Sequence, residues 1–210
     1  MERKPHWVVF DVGGVLLDIR PGLEAASKYL NTSEEKLLEV FNENHKIGDL
    51  GEVTPEEFWE MVSKKLGGGD KTNGKEILRI YLSKCIPLEY TVDLAQRLKN
   101  DGYKLAVCTN TWKGISKTFW PTVVKNGILV FSIFEKVIES CEVNAIKPEI
   151  PIYTIVQERL GTTGSDIFLI DDSLENIRTA ISIGWQTFHF RLSDDDGRMS
   201  CKKLIRMFGM

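Results

Sequence analysis

Apolar residues in this chain gather in short, uncharged runs, and each run ends on a small polar or acidic residue. Residues 7–10 are β-branched or aromatic and stop abruptly at Asp11, with Gly13 and Gly14 just behind it. A run without polar alternation predicts a strand covered on both faces. The same signature returns at 104–108 before Thr109, and at 167–170 before Asp171. Weaker strands are expected at 137–139 and 186–190. Helical spacing fills the intervals, as at 92–98, stopped near Gly102, and at 174–183, stopped at Gly184. Strand and helix therefore alternate, which predicts an α/β fold with a Rossmann-like, doubly wound parallel sheet.

Residues 18–87 break that rhythm. They read as consecutive helices without a convincing strand, inserted into a core made of 1–17 and 88–210. Thr32 with Glu35, and Thr54 with Pro55 and Glu57, each spell a capping box, in which two side chains satisfy the unpaired N–H groups at a helix start. Behind the first cap, Leu37, Leu38 and Phe41 share a face. Behind the second, Phe58, Met61, Val62 and Leu66 do the same, so the insert is expected to form an antiparallel bundle with a small core of its own. Trp59 falls in that core or at its edge. Gly67, Gly68 and Gly69 follow no strand and read as a flexible inter-helix loop, not a phosphate cradle.

Composition narrows the partners. The 210 residues are 42% hydrophobic, enough for a substantial core. A net charge of -3, with both signs interspersed, gives no basic stripe for nucleic acid. The four cysteines are widely separated and form no CxxC pair, which fits a reduced, cytoplasmic setting and argues against structural zinc. No apolar run approaches the roughly 18 residues of a spanning helix, so no membrane partner is expected.

In a parallel sheet, ligands bind beyond the carboxyl ends of the strands. The polar residues delivered there are Asp11, Thr109 with Asn110, Lys147 before Pro148, and Asp171 with Asp172. Each has a bland reading as a turn former or helix cap. Their joint occurrence in this order, with a helical insertion straight after the first, points instead to one site.

Read together, these segments resemble the haloacid dehalogenase (HAD) superfamily over essentially the whole chain. WVVFDVGGVLLD is similar to the first family motif, LAVCTNT to the second, Lys147-Pro148 to the third and FLIDDSLENIRTA to the fourth, while the insert matches a helical cap. Within the superfamily, the Asp-x-Gly first motif and the stretch through Asn110-Thr111 and Thr118-Phe119-Trp120-Pro121 resemble the bacterial alpha-glucose-1-phosphate phosphatase branch. The resemblance implies a phosphohydrolase in which Asp11 attacks phosphorus and forms an aspartyl phosphate that water then cleaves. It implies Mg²⁺ held by Asp11, the Gly13 carbonyl and Asp172, with Asp171 assisting directly or through water. Lys147 would neutralise charge on the phosphoryl group and nucleophile. The Thr109 hydroxyl, the Asn110 N–H and the backbone at Gly13 and Gly14 would bind phosphate, Asn110 at the positive end of the helix beginning there. The partner is a small phosphorylated metabolite, a sugar phosphate such as a sugar 1-phosphate.

One departure stands out. Phosphatases of this superfamily mostly carry a second Asp two residues after the nucleophile, where this chain has Gly13. A general acid is typically worth about 10²–10⁴-fold in rate. A good leaving group, a donor elsewhere such as His45 or Asp18, or loss of catalysis would each account for its absence. Two further readings follow: a 2-haloacid dehalogenase, since halide needs no proton, and a catalytically silent phospholigand-binding protein. Arg20, His45, Lys46 and Asp49 are polar enough to meet a sugar, and Trp112 or Trp120 to stack on one.

Overall fold

The uncharged run near the start of the chain becomes β1 (Trp7–Phe10), every residue of which is buried. The computed structural model describes residues 5–68, 73–193 and 195–210, so Gly69 of the glycine run lies outside the described residues. In chain order there follow β2 (Leu17–Asp18), α1 (Arg20–Tyr29), α2 (Glu34–Asp49), α3 (Pro55–Lys65), α4 (Gly74–Lys84), β3 (Ile86–Pro87), α5 (Glu89–Asn100) and β4 (Lys104–Thr109). The second half carries α6 (Ile115–Thr118), β5 (Val124–Lys125), β6 (Ile128–Leu129), β7 (Lys136–Glu139), α7 (Ser140–Val143), α8 (Ile150–Leu160), β8 (Ile167–Asp171), α9 (Leu174–Ser182), β9 (Gln186–His189) and α10 (Arg198–Phe208).

Five strands form one parallel sheet in the order β7-β4-β1-β8-β9. Strand alternation then sorts the core. Val8, Phe10, Leu105, Val107, Phe168 and Ile170 join one apolar cluster, which includes residues of α5 and α10. Trp7, Val9, Ala106, Cys108, Ile167 and Leu169 join the other, with residues of α8 and α9. Helices therefore cover both faces, as a doubly wound sheet requires. Chain order runs outward from β1 in both directions, which opens the crevice for a ligand at the carboxyl end of β1.

The stretch 18–87 is helical but not free of strand. Leu17 pairs with Pro87 and Asp18 with Ile86 in a two-residue antiparallel ladder that brings the two ends of the insert side by side. Period-2 patterning cannot signal strands this short. The insert also lacks a core of its own: Leu37, Phe58, Trp59, Val62 and Ile77 belong to the same cluster as one face of the sheet. Trp112 makes the join, its ring within 5.2–6.0 Å of those of Phe41, Phe58, Trp59 and Tyr81.

The caps divide. Thr54 and Glu57 form the reciprocal box, with Glu57 N–H donating to Thr54 Oγ1 at 3.2 Å and Thr54 N–H to Glu57 Oε2 at 2.8 Å. At α2 the cap is Ser33 instead of Thr32, and it accepts from the Lys36 N–H at 3.2 Å. Asn31 sits in the left-handed region after α1, and Ser33 is the extended residue from which α2 starts, one position later than expected. Leu37 is buried and Phe41 packs on the core, whereas Leu38 points outward.

Candidate active site

Two strands deliver carboxylates and a loop delivers a cation. Asp11 follows β1, Asp171 closes β8 and Asp172 comes next, while Lys147 precedes α8. Oxygen atoms of Asp11, Asp171 and Asp172 all lie within 4.8 Å of one another. The Lys147 ammonium reaches Asp11 Oδ1 at 2.9 Å and Asp171 Oδ2 at 2.6 Å, although its side chain is only 1% exposed. Three negative charges thus face a single positive one. A buried charge survives only when paired and hydrogen-bonded.

The surroundings set the protonation states. Burial pushes the Asp11 carboxyl up to about 6; Lys147 opposes this and Asp171 adds to it. Burial likewise raises Asp172 to about 7, helped by repulsion from Asp11 and then Asp171. For Lys147, burial works against the charge, but Asp11 and Asp171 outweigh it and hold the ammonium well above the ordinary lysine value. Crowded carboxylates with hard oxygen donors and an excess of negative charge are what a small divalent cation satisfies. The residues present therefore fit Mg²⁺, with Asp11 and Asp172 the two with oxygens to offer.

Asp171 is committed elsewhere. Its Oδ2 accepts from Lys147, and its Oδ1 accepts from the Ser173 N–H and the Asn176 Nδ2–H, both at 2.9 Å. Asn176, on the first turn of α9, was not singled out from the sequence; its place five residues beyond Asp171 was the available signal. Gly14 has φ of +73°, and a Cβ there would lie 2.2 Å from Asp172 Oδ2, so only glycine lets the first turn meet the acidic pair.

Thr109 is buried at the end of β4. The Asn110 side chain does work that its sequence position did not announce: its Nδ2–H donates to the Lys147 carbonyl and its Oδ1 accepts from the Lys147 N–H, both at 2.9 Å. This reciprocal amide pair fixes the loop that carries the cation. The expected helix dipole behind Asn110 is missing. The next helix, α6, is four residues long and begins only at Ile115, because Gly114 intervenes in the left-handed conformation.

The site opens into a chamber of about 290 Å³ between the sheet and the inserted helices. Gly13, Thr109 and Asn110 line one end. Phe41, Tyr81, Leu82, Trp112, Ile115 and Phe119 make most of the wall, and Asn42, His45, Asp49 and Thr111 supply polar groups. Of the polar residues expected to face a ligand, His45 and Asp49 do so. Arg20 instead binds Asp18, and Lys46 pairs with Glu149 at 2.7 Å across the junction of insert and core. Trp120 lines the chamber while stacked on Phe131.

Comparison with known proteins agrees with this geometry. The haloacid dehalogenase-like hydrolase family matches residues 6–184. A HAD family enzyme from Bacteroides thetaiotaomicron, crystallised with magnesium and inorganic phosphate, is 27% identical and superposes with a TM-score of 0.70, over 91% of this chain and 96% of that one. The sesquiterpene phosphatase of Aspergillus oryzae is 22% identical over 205 residues, 96% of this chain and 95% of its own length. An L-2-haloacid dehalogenase from Xanthobacter autotrophicus shares the fold at 16% identity, with a TM-score of 0.69 over 91% of this chain and 80% of that one.

Proposed function

The chain belongs to the haloacid dehalogenase-like hydrolases, and on that premise we propose that it is a Mg²⁺-dependent phosphomonoesterase working through an aspartyl phosphate on Asp11. One observation carries the reading: Lys147 is held between Asp11 and Asp171 while Asp172 stands within reach of both carboxylates. Phosphoryl transfer spreads charge over oxygens, and positioned cations answer that need. Halide displacement gains nothing from three crowded carboxylates, which counts against a dehalogenase.

In this mechanism Asp11 forms a bond to phosphorus as the ester oxygen departs, and water then cleaves the acyl phosphate. Lys147 holds Asp11 in place and balances charge on the phosphoryl oxygens. The Thr109 hydroxyl, the Asn110 N–H and the backbone at Gly13 and Gly14 bind those oxygens. Asp11, Asp172 and the Gly13 carbonyl hold Mg²⁺, which when bound offsets the negative charge that nucleophile and phosphate bring together. With both oxygens engaged, Asp171 acts through Lys147 and through water. Residues 18–87 serve as the cap that excludes water and selects the substrate.

The substrate is a small phosphorylated metabolite. A sugar phosphate is supported by the Asp-x-Gly first motif, by Asn42, His45, Asp49 and Thr111 as hydroxyl partners, and by Trp112 as a stacking face. The mostly apolar remainder of the wall supports a second reading, the phosphate of an apolar alcohol. Phosphate release from a panel holding both classes is the test. Turnover should need Mg²⁺ and vanish in Asp11→Asn; turnover that survives EDTA refutes the mechanism, and the preferred class picks the substrate.

A further inference from the structure

With glycine at position 13 and Asp172 beside Asp11 assigned to the metal, the ester oxygen that leaves has no dedicated proton donor at the nucleophile, so the chamber wall must be read for one. Among the described residues lining it, four side chains titrate: His45 and Asp49 on α2, Tyr81 on α4 and Cys85 just after it. Burial raises the Tyr81 phenol well above its ordinary value and the Cys85 thiol to about 12, so neither gives up a proton readily. Asp18, the other acid near the first strand, is bound by Arg20 through Nε at 2.8 Å, Nη2 at 2.7 Å and the Arg20 N–H at 3.0 Å. Although partial burial acts the other way, those contacts keep its carboxyl below the usual range and ionised. An ionised carboxylate has no proton to lend.

His45 differs from all of these. Its Nδ1 meets Asp49 Oδ2 at 2.7 Å, and among the described residues Nε2 has no hydrogen-bond partner. Hydrogen bonding to Asp49 raises the imidazole above its ordinary value against the opposing effect of burial, which favours the form that can donate a proton. Asp49 is itself anchored to the core. Its carbonyl accepts from Ser140 Oγ at 2.6 Å, and the same Oγ accepts from the N–H of Thr111, next to Asn110, at 2.9 Å. Gly48 adds a steric reference, since a Cβ there would lie 2.6 Å from Trp112 Cδ1. The imidazole is thus registered to the loop after β4 although it belongs to an inserted helix.

We propose that His45, oriented by Asp49, is the general acid that protonates the leaving alcohol when Asp11 takes the phosphoryl group. The proposal rests on the phosphatase reading above. In the first step the bond from Asp11 to phosphorus forms, the bond from phosphorus to the ester oxygen breaks, and the Nε2 proton moves to that oxygen. In the second step water attacks phosphorus, the acyl phosphate bond breaks, and the water proton returns to Nε2. A donor of this kind matters most for esters of ordinary alcohols, whose alkoxides are poor leaving groups.

Two substrates separate the outcomes: 4-nitrophenyl phosphate, whose phenolate leaves without a proton, and an alkyl phosphate, whose alkoxide does not. In His45→Gln, kcat/KM for the alkyl ester should fall at least about 100-fold further than for the nitrophenyl ester. The wild-type pH profile on the alkyl ester should lose activity on its basic limb as His45 deprotonates, and this limb should move to lower pH in Asp49→Asn and disappear in His45→Gln. An equal loss on both substrates, or no loss on either, overturns the assignment, and an unchanged melting temperature excludes unfolding as the cause. If the wild-type protein with Mg²⁺ hydrolyses neither ester, the phosphatase reading itself falls, a result distinct from failure of the acid alone.

Discussion

Gly13 and Gly14 are neighbours with opposite tolerances. At Gly14 the backbone is left-handed and a Cβ would collide with Asp172 Oδ2, whereas at Gly13 a Cβ would meet only Ile19 Cδ1 at 3.7 Å, an ordinary contact. Gly13→Asp is therefore expected to fold and, in the His45→Gln background, to recover part of the lost turnover of alkyl phosphates. Steady-state kinetics on the double variant check this; no recovery would mean that position 13 does not face the ester oxygen. Asn176 makes a second residue-scale case. It donates to Asp171 Oδ1 at 2.9 Å, and Asp171 in turn positions Lys147. Supporting partners of this kind are typically worth about 10–100-fold. Asn176→Ala should lower kcat by that order with little change in KM, and a change confined to KM would contradict the positioning role.

At the scale of elements, the same physics explains what the sequence could and could not announce. Residues 7–10, 105–108 and 167–170 were legible as parts of strands because burial on both faces removes polar residues, Lys104 lying exposed at the mouth of its strand, and the sheet indeed runs through all three. The polar residues ending those runs were legible as a site because parallel strands deliver their ends to one crevice. The helix α8 was not legible, since its buried flank at Ile152, Tyr153 and Val156 is mixed with further apolar residues that blur the 3.6-residue period. Nor was the hairpin of β5 and β6, although Asn126 and Gly127, both left-handed, are a usual turn pair for so short a loop. Contacts between distant segments, such as Asn110 with Lys147 or Asp49 with Ser140, leave no local pattern at all. Gly48 belongs with these. In a helix, Gly→Ala ordinarily gains up to about 1 kcal/mol, but here the added methyl would enter Trp112. Overpacking of this sort typically costs about 1–3 kcal/mol. Gly48→Ala should therefore lower the melting temperature and raise KM by shifting α2 at the chamber wall, and a stabilised protein with unaltered KM would refute the close contact.

For the molecule as a whole, the acidic cluster links folding to both pH and metal. Asp11 and Asp172 are raised to about 6 and about 7, above the value near 3.9 expected in an unfolded chain. Between those limits the folded state binds more protons than the unfolded one, so without metal its stability falls as pH rises from about 4 through 7. A divalent cation reverses the balance by replacing the protons, and it binds best once they have left. Mg²⁺ at 100 times its Kd adds about 2.7 kcal/mol, roughly 5–10 °C in melting temperature for a chain of this length. The expected result is a Mg²⁺-induced rise in melting temperature that is small at pH 5, full at pH 8, and lost in Asp172→Asn. That variant should also flatten the metal-free decline, because one of the two raised carboxylates is gone. A Mg²⁺ effect independent of pH, or one retained in Asp172→Asn, would place the cation away from these carboxylates. Melting curves need no substrate, so they test the metal centre separately from the chemistry assigned to Asp11 and His45.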